Sequence, residues 1–100
     1  MLNKLKLSIV LCLMLQSAWA GKDIDQDDAK ALRQQGVILP LEQILQTAQR
    51  LHPGRVIEVE LEKKRGRYVY EVEIADNNGQ VWELKIDAGD ATLLSKELND

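Results

Sequence analysis

The sequence predicts an α+β domain: a three-stranded antiparallel β-meander with one main helix packed on one face and a short N-terminal helix. Two observations predict it. Residues 55–87 hold three runs in which apolar and polar residues alternate, joined by short connections containing Gly66 and Gly79. Alternation at period 2 gives a strand one buried and one wet face. Just upstream, Leu41, Ile44, Leu45, Ala48 and Leu51 recur at helical spacing and need an apolar surface to cover.

The chain opens with a stretch built for export. Lys4 and Lys6 precede an apolar run from Leu7 to Leu15, and Ser17-Ala18-Trp19-Ala20 places small residues at the −3 and −1 positions of a cleavage site. That run is well short of the ~20 apolar residues of a spanning helix, so no stable membrane anchor is expected after cleavage behind Ala20. The mature protein is then periplasmic or secreted. Cleavage also removes Cys12, the only cysteine, and leaves 11 basic against 16 acidic residues, a net charge of −5. A thiolate nucleophile, a disulfide and a cysteine-ligated metal are thereby excluded, and nucleic acid and anionic membranes are disfavoured as partners.

The remaining chain divides into a helix and connector (21–39), the main domain (40–95) and a tail expected to fray (96–100). Asp25 is placed to cap the first helix, Asp27 and Asp28 lie in its first turn, and Gly36 follows as its stop. Its apolar face is thin, chiefly Ala29 and Leu32, so docking should be weak. The acidic cluster Asp23, Asp25, Asp27 and Asp28 lacks the glycine and distal glutamate of an EF-hand loop, and capping accounts for it. Pro40 suits the first turn of the main helix, and His52-Pro53-Gly54 ends it. His52, the only histidine, reads as a helix-terminal residue rather than a ligand or base.

In the strands, Ile57, Val59 and Leu61, then Tyr68, Tyr70, Val72 and Ile74, then Trp82, Leu84 and Ile86 are assigned to the buried face. Keeping like charges directly across a strand pair to one, Glu58 opposite Glu71, favours Lys63-Lys64-Arg65-Gly66 as a four-residue loop, with Leu61 opposite Tyr68. A two-residue Arg65-Gly66 turn would oppose Glu60 to Glu71 and Glu58 to Glu73 and force Arg65 to positive φ. For the second hairpin, face matching selects the three-residue loop Asn77-Asn78-Gly79, with Ile74 opposite Trp82. Leu93 and Leu94 can add a short fourth edge strand.

Chemistry is scarce. A domain of this size has little room for a ligand pocket of ~300 Å³ or more. Ser95 has no histidine near it, there is no glycine-rich phosphate loop, and an open sheet face gives no shelter to a catalytic carboxyl. Neither an enzyme nor a cofactor is expected. The wet face carries Glu58, Glu60, Glu62, Glu71, Glu73 and Glu83, and the first hairpin carries a basic tip of Lys63, Lys64, Arg65 and Arg67. These are the candidate partner-binding surfaces, weighed against a charged face that merely resists aggregation.

From Leu41 to Leu94 the chain resembles a PepSY domain. The resemblance rests on Leu41-Glu-Gln-Ile-Leu-Gln-Thr-Ala, on His52-Pro-Gly-Arg-Val-Ile-Glu-Val-Glu-Leu, on Tyr68-Val-Tyr-Glu-Val-Glu-Ile and on Gly79-Gln-Val-Trp-Glu-Leu-Lys-Ile-Asp-Ala. Ala91 stands where the usual Asp-Ala-x-x-Gly ending has glycine, so a differently built final turn is expected. PepSY domains occur in propeptides of secreted metallopeptidases and as stand-alone envelope proteins, and no catalytic or ligand residues come with the resemblance. It implies a non-catalytic binding module that inhibits or modulates a peptidase or another envelope protein. The alternative is a sensory accessory that binds a cationic ligand or the outer domain of a sensor kinase.

Overall fold

A computed structural model describes residues 22–99, and the expected leader lies outside the described residues. The elements are β1 (Lys22–Asp23), α1 (Gln26–Gln34), α2 (Leu41–Leu51), β2 (Arg55–Lys64), β3 (Arg67–Ala75), β4 (Val81–Asp87) and β5 (Leu93–Asn99). The strands form one antiparallel sheet in chain order. The meander therefore has four full strands, with the two residues of β1 added beside β2. Residues 96–99 do not fray; they pair along β4 as the greater part of β5. Their own alternation, Lys96 and Leu98 against Glu97 and Asn99, suits a strand.

Both helices serve the inner face. Asp25 caps α1, its carboxylate accepting the Asp28 N–H at 2.8 Å. Ala29 is the one buried residue of α1, and a 3.2 Å hydrogen bond from Arg33 to the Tyr70 hydroxyl ties the helix to the sheet. Pro40 stands at the N-cap of α2, which lies over β3 and β4. Ile44 and Ala48 are fully buried against Tyr70, Val72, Ile74, Leu84 and Ile86. Each large apolar side chain so buried contributes about 1.5–3 kcal/mol. Leu51, expected on this stripe, is 41% exposed because it closes the helix just where His52 turns the chain into extended backbone.

The first hairpin differs from expectation. Lys64 pairs with Arg67, so the turn is Arg65-Gly66 alone, with φ of 53° and 76°. Leu61 meets Tyr70 and Val59 meets Val72, while Glu60 faces Glu71 and Glu58 faces Glu73. The two-residue turn with both residues left-handed matches the natural twist of the paired strands. That gain and the resulting core pairing outweigh an outer-face repulsion of roughly 0.2–1 kcal/mol per pair. A bulge between Val56 and Glu58 then shifts the alternation: Val56 joins the core, and Ile57, expected inside, is 49% exposed. The second hairpin has the expected register, Ile74 opposite Trp82 and Val72 opposite Leu84, with Gly79 at φ 79°.

Asp76 organises that second turn. One carboxylate oxygen accepts the N–H groups of Asn78 (2.9 Å) and Gln80 (3.0 Å), and the other accepts the Trp82 indole N–H at 3.0 Å. His52 reaches the same place from the end of α2, its ring centroid 4.9 Å from that of Trp82 and its Nε2 3.7 Å from Asp76 Oδ2. The histidine thus has neighbours that its position in the sequence did not announce.

In the last turn Ala91 itself adopts the left-handed conformation, at φ 65°, and its N–H bonds the Asp87 carbonyl at 2.9 Å. Alanine takes a glycine-like backbone here instead of forcing a different one. This conformation costs an L-residue about 1–2 kcal/mol. Ala91→Gly is accordingly expected to stabilise the protein by roughly 0.5–1 kcal/mol, because glycine's greater unfolded-state entropy offsets part of the relief. Urea denaturation of the two proteins checks it.

Candidate protein-docking face

The register gives the outer face its character. Glu58 opposes Glu73, Glu73 opposes Glu83, and Glu83 opposes Glu97, so four glutamates form one unbroken row across β2, β3, β4 and β5. The neighbouring row is Glu60, Glu71, Lys85 and Ser95, and the next brings Asp23 beside Glu62. All six glutamates proposed from the sequence lie on this face. Asp23 and Glu97 join them and were missed. Glu97 was legible once its strand was extended past Leu94, whereas Asp23 reaches the face only through the two-residue pairing of β1, for which the sequence has no signal.

The basic tip does not form one surface. Lys64 and Arg67 end the outer face, and Arg67 pairs with Asp87 at 3.3 Å. Lys63 points the other way, its ammonium 5.3 Å from the centre of the Tyr68 ring, and Arg65 occupies the turn itself.

Charge crowding alters the carboxylates. A hydrogen bond shared with Glu58, then burial and the charges of Glu58, Asp23 and Glu71, push Glu60 up to about 7. Burial, followed by the neighbouring Glu71, also raises Glu62 and Glu83. Lys85 is the cation set among them, 3.6 Å from Glu71 and 4.0 Å from Glu83. Burial works against its charge, but these carboxylates prevail and hold its pKa above the usual lysine value. Carboxylate oxygens of Asp23, Glu60 and Glu62 lie within 4.8 Å of one another, close enough to share a cation.

These shifts fix the sign of the pH dependence. Between the ordinary glutamate value and about 7 the folded protein binds more protons than the unfolded chain, so stability falls as pH rises through this window. At the acid end the sign reverses. Burial opposes ionisation of Asp76, but its bonds to Trp82, Gln80 and Asn78 prevail and lower its pKa, while bonds from Thr92 lower Asp90. Their stabilisation is lost as pH drops through those lowered values. After allowance for solvent screening, the melting temperature is expected to rise by roughly 5 °C from pH 8 to pH 5. Calorimetry across that range checks it, and a flat profile would contradict the crowding.

The face is open and no helix among the described residues is long and apolar enough to cross a membrane. What the arrangement offers is a broad sheet face on which carboxylates outnumber the cations Lys64, Arg67 and Lys85, suited to recognition by charge. The chain belongs to the PepSY family (peptidase propeptide and YPEB domain), whose family model matches residues 38–97, from the lead-in to α2 through Glu97 of β5. This is in general a family of non-catalytic propeptide-like and regulatory modules. No curated protein and no solved structure matches the chain.

Proposed function

We propose that this protein is a non-catalytic periplasmic or secreted module that restrains a peptidase, or another envelope protein, by docking its acidic sheet face on a basic surface. The observation that carries the reading is the row Glu58, Glu73, Glu83 and Glu97. Like charges set directly opposite one another weaken a sheet, and a basic partner would turn that repulsion into attraction. Membership of a family of peptidase propeptides supplies the class of partner. Export through the leader supplies the compartment, and the mature protein begins at Gly21.

Affinity capture from envelope extract, followed by inhibition assays on each recovered peptidase, tests the reading. A specific peptidase inhibited in a salt-sensitive manner is expected. Recovery of no specific partner, or of peptidases that run uninhibited, would sink it.

The close approach of Asp23, Glu60 and Glu62 favours one second reading, a sensory accessory that takes up a cationic ligand. Titration with Mg²⁺, Ca²⁺ and cationic peptides, followed by backbone amide shifts, separates the two. Flat responses to all three retire it.

A further inference from the structure

β5 ends the sheet: it pairs with β4 on one side, and its other main-chain edge has no strand beside it among the described residues. Exposed edges of this length are usually guarded by proline, by a charge turned into the edge or by a bulge. β5 has a bulge near Leu94, but beyond it the strand runs regularly from Ser95 to Asn99 and contains no proline. Its one lysine is drawn over the inner face, with the Lys96 ammonium 5.2 Å from the centre of the Trp82 ring. Leu94 and Leu98 remain 39% and 43% exposed along this rim. On the opposite face, Glu97 is the last member of the glutamate row.

These features specify what fits. A strand added here would set alternate side chains beside Glu97 on the acidic face and the intervening ones beside Leu98 on the inner face. Basic residues suit the first set and apolar residues the second. A second copy of this chain does not supply the basic set. Antiparallel pairing of two β5 strands with Leu94 opposite Leu98 sets Lys96 against Lys96 and joins two acidic faces.

We propose that β5 is a docking edge for an extended segment of the partner in which basic and apolar residues alternate, added to the sheet as a further strand. The proposal rests on the acidic face being the docking face, and it adds main-chain pairing to charge as the means of recognition.

The test uses the protein recovered from expression of the full chain and a seven-residue peptide alternating lysine and valine. A control peptide of the same sequence is N-methylated at every second residue, which keeps its charge and removes its pairing edge. Amide exchange read by NMR is expected to slow about tenfold or more along β5 with the plain peptide only. Glu97→Lys, an exposed change remote from the core, is expected to weaken binding of that peptide about tenfold. Equal binding of both peptides, or shifts confined to the Glu58 and Glu60 side of the face, overturns the edge proposal and leaves charge-based docking standing. Absence of binding by either peptide also overturns the edge proposal, while salt-sensitive inhibition of a captured peptidase would still uphold the broader reading.

Discussion

Gly54→Ala is expected to destabilise the protein by about 3 kcal/mol, lowering the melting temperature by roughly 15 °C. The reason is space, because the backbone φ of Gly54 is not in the left-handed region. A Cβ added there meets the main-chain oxygen of Ala75 and lies 2.6 Å from Ile74 Cγ2. Ile74 is fully buried and Ala75 ends β3, so neither neighbour can swing aside as an exposed side chain would. The Gln49 side chain meanwhile brackets Gly54, its Nε2 donating to the Gly54 carbonyl at 2.7 Å and its Oε1 accepting the Gly54 N–H at 3.2 Å. Gln49→Ala removes both bonds and leaves the space intact, and is expected to cost about 1–2 kcal/mol. Denaturant unfolding of the two variants separates them: Gly54→Ala should be clearly the worse. Equal losses would mean that hydrogen bonding, not close packing, sets the junction between α2 and the sheet.

The elements legible in the sequence were those whose signal is local. Helix α2 follows from its stripe and its Pro-Gly exit, and the second hairpin follows from matching Ile74, Val72 and Trp82 to one face. The first hairpin was misjudged because both candidate registers keep the same faces inward and differ by two residues. The choice then fell to opposed glutamates and the φ of Arg65, which are small terms on a wet surface. Turn geometry and the packing of Leu61 on Tyr70 are larger, and they decided for the tight turn. Ile57 illustrates a second limit, since a bulge interrupts the alternation without changing the composition. The candidate site suffered in proportion. Its six glutamates do fall on one face, but the row takes only Glu58, Glu73 and Glu83 from them; Glu58 joins it through the tight first turn, and Glu97 lies in the stretch expected to fray.

That correction changes what the surface means. Scattered glutamates on a sheet need no explanation beyond solubility, but four directly opposed ones are a conflict repeated across three strand pairs. Natural sequences hold such conflicts where function opposes stability. The opposition makes the two interior members, Glu73 and Glu83, the informative positions, because both lie half-buried between charged neighbours.

Replacing Glu73 and Glu83 together by glutamine is therefore expected to move stability and function in opposite directions. Each change removes like-charge oppositions worth roughly 0.2–1 kcal/mol, and the double change clears all three in the row, from Glu58 to Glu97. Against this stands the loss of the long Lys85–Glu83 contact, a partly exposed pair worth at most about 1 kcal/mol. The 3.4 Å bond from Asn99 to Glu73 Oε1 can persist with the glutamine oxygen. The net gain is about 1 kcal/mol, or roughly 5 °C in melting temperature. Burial and the surrounding acids raise the pKa of Glu83, so its share of the repulsion eases as pH falls and the gain should be larger at pH 8 than at pH 5. Inhibition of the captured peptidase should weaken about 10- to 100-fold, mainly through slower association, and should lose much of its salt dependence. A melting temperature that rises while inhibition and its salt dependence stay put would mean that the row is only a solvated surface. A rise in one and a fall in the other would identify the repulsion as part of how the protein recognises its partner.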